Sequence, residues 1–266
     1  MPDITAWRPA VRGIHEVFHA HFTSHAYPSH THDAWTLLIV DDGMVRYGLD
    51  RHEHGALRSQ VTLLPPGVPH DGRSVRPEGF RKRVLYLDSA ELGAGLVGAA
   101  VDHPALADPM LRTRIHRLHQ ALDTPDELEA QSRYAFVRER LRGHLDTGAG
   151  PEPARRGVAH EVRDLLDARL PDGVSLDEAA AVLEVHPVSL VRAFSREFGI
   201  PPHRYLTGRR LELARRDLLA GHPPAEAATR AGFYDQSHLT RHFTRLLGVG
   251  PGYYARDRCS LRRLRS

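Results

Sequence analysis

The chain has 266 residues, 41% of them hydrophobic and 26% charged, a globular balance that excludes disorder as the default reading. Its apolar runs fall far short of the roughly 20 residues a membrane-spanning helix needs, and a single cysteine, Cys259, excludes an internal disulfide framework. The net charge of +3 is unevenly spread: residues 1–150 hold 17 Lys/Arg against 19 Asp/Glu, net −2, while residues 151–266 hold 19 against 14, net +5. The C-terminal half is therefore the one expected to face a polyanion.

The length fits two domains, each with its own core. The opening stretch MPDITAWRPAVRG has no basic region followed by an apolar core, so no secretion signal is expected and the cytoplasm is the expected compartment. Residues 11–88 read as short strands: WTLLIV from Trp35, MVRYGL from Met44, VTLLP from Val61 and RVLYL from Arg83 are rich in β-branched and aromatic residues and end at Gly, Pro or Asp. DDG at Asp41 reads as a hairpin signal between the first two. Short strands at this spacing predict an antiparallel barrel or double-sheet roll.

From Pro104 to His144 the period changes to that of a helix. Leu111, Ile115, Leu118 and Leu122, then Leu128, Tyr134, Val137 and Leu141, predict two amphipathic helices broken at DTPDE. One side of each suits the barrel and the other a second subunit, so this region is the expected dimerisation surface. DTGAGPEPARR, from Asp146 to Arg156, carries helix breakers without apolar periodicity and reads as an exposed linker.

Beyond the linker everything reads as helix, beginning with Val158 to Leu170. RAFSREFGIPPHRY, from Arg192 to Tyr205, is then repeated as RHFTRLLGVGPGYY, from Arg241 to Tyr254, with matched residues displaced by 49 positions. A repeated unit implies a repeated task. In the second copy a short helix from Pro224 to Arg230 leads to Gly232 and Phe233, and Asp235 stands as N-cap of a helix that buries Leu239, Phe243, Leu246 and Leu247. At 100° per residue its opposite face is Ser237, Arg241, Thr244 and Arg245, with His238 at the edge. In the first copy Ser175 and Glu178 form a capping box, Pro187 suits a first helical turn, and Leu190, Phe194 and Phe198 face inward. Val188, Arg192, Ser195 and Arg196 then face outward, with Ser189 at their edge. A short helix, a tight turn and a cationic second helix make the helix-turn-helix plan. The helix predicted from Pro202 to Leu219, about 25 Å long at 1.5 Å per residue, can set the two units into grooves about 34 Å apart on one duplex.

These residues, above all AGFYDQSHLTRHFTRLLGVGPGYY within the span Ser175 to Tyr254, closely resemble the AraC/XylS family of transcriptional regulators. The resemblance implies an α+β multidomain protein: an N-terminal cupin-like antiparallel β-barrel with two following helices, and a C-terminal all-α domain with two helix-turn-helix units. The expected division is a sensing barrel at 1–100, a helical dimerisation region at 101–147, a linker at 148–157, the DNA-binding domain at 158–258 and a basic tail at 259–266. By match to the family pattern, base edges are read by Val188, Ser189 and Arg192 and by Gln236, Ser237 and Arg241, while Arg196 and Arg245 contact phosphate. The first turn departs from that pattern, with Glu184 where glycine is usual and His186 where serine is usual, at a cost of about 1 kcal/mol in turn strain and capping.

His30, His32 and His70 sit where cupin barrels place their two motifs. Together with Trp35 and Tyr47 they are expected to line a pocket for a small polar effector. The same three histidines are the set a metal would use, but the metal-binding pattern asks for a glutamate where this chain has Thr36, so no metal cofactor is expected. The implied function is a sequence-specific regulator, an activator by the commoner family behaviour and not an enzyme. Its expected partners are double-stranded promoter DNA, a small-molecule effector, a second copy of itself and RNA polymerase, with no membrane. The alternative is a metal-dependent cupin enzyme fused to a DNA-binding domain.

Overall fold

The computed structural model describes residues 3–23, 25–146 and 157–256. Nine strands come first: β1 (Asp3–Trp7), β2 (Ile14–Phe22), β3 (Ala26–His30), β4 (Trp35–Gly43), β5 (Val45–Leu49), β6 (His52–Ala56), β7 (Val61–Leu64), β8 (His70–Ser74) and β9 (Phe80–Leu87). A short helix, α1 (Val97–Asp102), precedes β10 (Ala105–Leu106). They form two antiparallel sheets, ordered β1-β2-β9-β4-β7-β10 and β3-β8-β5-β6, the predicted double-sheet roll. Two helices follow, α2 (Pro109–Ala121) and α3 (Glu127–Leu145), interrupted where DTPDE predicts.

The larger sheet is buried on both faces, which is why WTLLIV and RVLYL lack alternation. Leu38, Val40, Val84 and Tyr86 point between the sheets, whereas Trp35, Leu37, Ile39, Leu85 and Leu87 point out to α2 and α3. The apolar stripes Leu111, Ile115, Leu118 and Tyr134, Val137, Leu141 complete that outer core. These stripes are thus taken up by the chain's own sheet. What α2 and α3 leave exposed is the opposite side, with Met110, Leu128 and Phe136.

Two sequence expectations fail here. DDG is not a hairpin: β4 and β5 belong to different sheets. A bulge between Val40 and Asp42 ends the pairing of β4 with β9, and Gly43, at φ +74, packs so closely that an added Cβ would lie 2.3 Å from the Gly79 carbonyl oxygen. This corner carries the strand from one sheet to the other. Trp35 does not line the barrel interior. Starting β4 one residue out of phase with Thr36, it is fully buried on the helix side, where its Nε1–H donates to the Ser89 carbonyl at 3.2 Å.

After residue 157 come α4 (Val158–Ala168), α5 (Leu176–Val182), α6 (Pro187–Phe198), α7 (Pro202–Leu219), α8 (Pro224–Arg230), α9 (Gln236–Leu247) and α10 (Pro251–Tyr254). The expected first helix stops at Ala168, two residues early, before Pro171. The expected linker and basic tail, with Cys259, lie outside the described residues except Gly157. Among the described residues no helix is long and apolar enough to cross a membrane.

The cores do not follow a simple two-domain division. α4, α5 and α6 close their own cluster with Tyr205. The second unit, with Phe233, Leu239, Phe243 and Leu247, shares one continuous cluster with the barrel interior through Leu211, Ala214 and Leu218 of α7.

Trp35→Ala is expected to lower the unfolding free energy by about 3–5 kcal/mol in a urea titration. His119 supplies a pH signature. It is buried in the outer core with its Nδ1 3.1 Å from His19 Nε2, and burial, then His19, hold its imidazole well below the usual value. The fold keeps it neutral while the unfolded chain takes a proton below about pH 6.5, so its contribution is full above that pH and is lost as pH falls. His119→Leu is expected to shrink the drop in urea midpoint between pH 7 and pH 5.

Candidate effector cavity and DNA interface

Each recognition helix is fixed at both ends by local chemistry. In α6, Pro187 occupies the first turn and the His186 Nδ1 accepts from the Val188 N–H at 3.3 Å, so histidine does serve as cap. In α9 the Asp235 carboxylate accepts from the His238 N–H at 2.6 Å. Gly199 and Gly248 end the two helices in the left-handed region, at φ +67 and +76. The turns before them differ. Glu184, at φ +52, and Gly232, at φ +79, each precede a residue whose N–H reaches back five positions, Val185 to Ala180 and Phe233 to Ala228. From there one residue separates Glu184 from its cap, and two separate Gly232 from Asp235; the additional residue is Tyr234, 93% exposed. Only glycine fits the second turn, since a Cβ on Gly232 would meet the Pro171 carbonyl at 2.1 Å. Val188, Ser189, Arg192 and Arg196 are exposed on α6, and Gln236, Ser237, Arg241 and Arg245 on α9. Both inner faces are buried on phenylalanine and leucine.

The helix joining the units is anchored beneath the barrel by charge. Arg215 of α7, fully enclosed, donates to Glu16 of β2 at 2.5 Å and to the Tyr254 hydroxyl at 3.1 Å, with its guanidinium 4.5 Å from the Tyr86 ring centre. The Tyr254 hydroxyl also donates to Glu16. One turn earlier, Glu212 accepts from the Asp33 N–H at 2.9 Å, from His32 Nδ1 at 3.1 Å and from Arg209. Arg209 in turn reaches Asp33 at 3.0 Å and Asp167 at 2.9 Å, and Arg216 pairs with Asp33. Burial raises the Glu212 carboxyl to about 8, followed by the neighbouring Asp33, while Arg209 pulls the other way. Its three donors are arranged for the anion.

Between the sheets lies a cavity of about 50 Å³, walled in part by His30, His32, Tyr47, His70, Thr36 and Lys82. It gathers four of the five residues expected there, all but Trp35. The Tyr27 and Thr36 hydroxyls on its wall reach no hydrogen-bond partner. The three imidazoles are packed at ring-centre separations of 4.5, 4.8 and 5.1 Å. Burial holds all three below the usual histidine value, His70 at about 4, and each also feels the positive Lys82. Lys82 is itself pushed down to about 7, by burial and then by Arg215, with its Nζ 4.2 Å from the Tyr27 ring centre. Sequence reasoning missed Lys82, although a signal was present: it is the only lysine among the 36 basic residues.

Two cationic recognition helices on an effector-scale barrel define a DNA-binding protein with a sensing domain. Family comparison agrees: the model described as AraC-like ligand binding domain matches residues 12–137, and a Helix-turn-helix domain model matches residues 179–257. The uncharacterized HTH-type transcriptional regulator YbfI of Bacillus subtilis (strain 168) is 24% identical over 230 residues, covering 80% of this chain and 81% of its own. The HTH-type transcriptional regulator Rv1931c of Mycobacterium tuberculosis is 34% identical over 108 residues, 40% of this chain and 36% of its own. The crystal structure of ToxT from Vibrio cholerae O395 superposes over 96% of both chains with a TM-score of 0.57 at 11% identity, a likeness of fold. The chain belongs to the AraC/XylS family and is a helix-turn-helix transcriptional regulator with an N-terminal ligand-binding domain.

The interdomain anchor makes a direct prediction. Arg215→Ala leaves Glu16 buried without its cation and is expected to cost about 3–5 kcal/mol in urea unfolding. The double change Glu16→Gln, Arg215→Met is expected to recover part of that loss.

Proposed function

We propose that a small effector entering the barrel cavity changes how α7 is held, and that this alters the joint engagement of one promoter duplex by α6 and α9. The observation that carries the reading is the His32 ring. It forms part of the cavity wall and hydrogen-bonds Glu212 of α7, so an occupant acts one side chain away from the helix that joins the two DNA-reading units. Differential contact of this kind is what a population shift requires.

Arg192 and Arg241 are assigned to guanine edges, where a guanidinium can donate twice, with Val188, Ser189, Gln236 and Ser237 completing the base contacts. Arg196 and Arg245, one turn further along each helix, are assigned to phosphate. The protein acts in the cytoplasm as a homodimer, through the outward sides of α2 and α3, where Phe136 and Leu128 are exposed. It activates transcription, with RNA polymerase as a further partner.

One ToxT crystal structure contains an unsaturated fatty acid. The cavity here, small and lined by imidazoles and an amine, favours a compact polar occupant. Arg241→Ala is expected to cost about 1–3 kcal/mol at one base pair and to relax specificity there, whereas Arg245→Ala weakens binding to every sequence alike. Affinities for cognate and scrambled promoter DNA at two salt concentrations separate the roles. Equal losses on both DNAs for both variants overturn the assignment.

A further inference from the structure

The three cavity histidines share a feature beyond proximity. His30 Nδ1 lies 2.7 Å from the Pro28 carbonyl oxygen, His70 Nδ1 lies 3.1 Å from the Val68 carbonyl oxygen, and His32 Nδ1 lies 3.1 Å from Glu212 Oε1. A carbonyl oxygen can only accept, so His30 and His70 must carry their protons on Nδ1, and His32 does the same whenever Glu212 is ionised, the form that the Asp33 N–H and Arg209 on its oxygens favour. Burial keeps the rings neutral. Each Nε2 is therefore left with a lone pair. One ligand nitrogen from each ring falls within 4.8 Å of the others, and all three residues are buried.

We infer that His30, His32 and His70 form a binding site for a divalent first-row transition ion, held by three Nε2 atoms, and that this ion is the effector or its anchor in the barrel. The inference rests on the effector reading above and narrows it to a chemical class. Three imidazoles with an open fourth position are a known coordination set for zinc and its neighbours, and a nitrogen shell favours these over magnesium or calcium. Orienting acceptors behind each ring are the usual support of a histidine ligand, fixing its tautomer and raising its basicity.

The volume argues the same way. A drug-sized ligand needs a pocket of about 300–1,000 Å³, and a water needs about 10–15 Å³ of such space, so a cavity of about 50 Å³ suits an ion with a few small co-ligands. Thr36 lines the same cavity, and its buried hydroxyl has no hydrogen-bond partner. Two carboxylates offset the ion's charge, Glu212 behind His32 and Asp71 on the cavity wall. The cations that face these rings are Lys82, on the cavity wall, and Arg215, which is already paired with Glu16.

The site also reaches the DNA-binding half. An ion on His32 Nε2 withdraws electrons from the ring and strengthens the Nδ1–H donor to Glu212, tightening the contact between β-roll and α7. The test is a competition titration of the full-length chain with zinc against a chromophoric chelator, repeated with cobalt to read its d–d absorption. One tight equivalent per chain is expected, with a nitrogen-rich tetrahedral or five-coordinate cobalt spectrum. His30→Ala and His70→Ala are each expected to lower affinity by more than 100-fold. Glu212→Gln, which keeps all three ligands, should lower it by about 10–100-fold, and this variant tests the site without removing a ligand should the alanine variants fold poorly. Absence of a stoichiometric ion in the wild type, or zinc binding unmoved by all three changes, overturns the inference. Promoter affinity measured with and without zinc keeps the two readings apart. A filled site with unchanged DNA affinity upholds the metal site and sinks its role as effector. Conversely, DNA affinity that responds to Glu212→Gln in a chain taking up no zinc overturns the metal site and leaves the coupling standing.

Discussion

A guanidinium enclosed between two halves of the molecule sets the position of nearly everything else. Arg215 can be buried only because Glu16 and the Tyr254 hydroxyl meet it there and the Tyr86 ring lies against it. Ions are expensive to bury without close partners, so the position of α7 on β2 is narrowly specified. Once Arg215 is placed, helical geometry brings Glu212, three residues earlier, under His32, and Arg209, three earlier again, between Asp33 and Asp167. The charged stripe of α7 is interleaved with Leu211, Ala214 and Leu218, which join the barrel's own core. Apolar contact supplies the driving force, and the ion pairs supply the register.

The internal repeat takes on a second meaning in this light. Tyr205 and Tyr254 are the matched final residues of the two copies, yet their hydroxyls go to different places. Tyr205 donates to Asp167 at 2.9 Å, within the DNA-binding half, while Tyr254 donates to Glu16 of the barrel. The same division appears in the cores, because α6 packs into a cluster of its own and α9 into the one shared with the sensing domain. The copies repeat a fold and a cationic face, but only the second is built into the sensor.

Much of this was legible in the chain. The repeat, the capping box at Ser175, the Asp235 cap and the limits Pro202–Leu219 of α7 follow from local chemistry, which acts over three or four residues and survives in sequence order. What escaped depends on distant partners. Trp35 and Thr36 are equally credible pocket residues until the pairing of β4 fixes which one faces inward. Glu212 and Arg215 carry no local signal of burial, because charges usually face solvent and their partners lie 180 and 199 residues away. Three histidines were placed by resemblance alone; the groups that engage their Nδ1 atoms, the Pro28 and Val68 carbonyls and the distant Glu212 side chain, are displayed by no pattern.

The arrangement also bears on how a signal so small can matter. A cavity of about 50 Å³ leaves no room for a large ligand to prise domains apart, so its occupant must act by altering contacts already made. His32 is suited to that, with one nitrogen available to the cavity and the other on Glu212. The second unit is continuous with the barrel and the first is joined to it through α7, where Arg209 ties Asp33 of the barrel to Asp167 of the first unit. A change at Glu212, which shares Arg209, therefore falls on the relation between the two units rather than on either one alone. In the function proposed above, a single duplex reads that relation, because two helices entering successive grooves about 34 Å apart would both feel a modest change in their spacing.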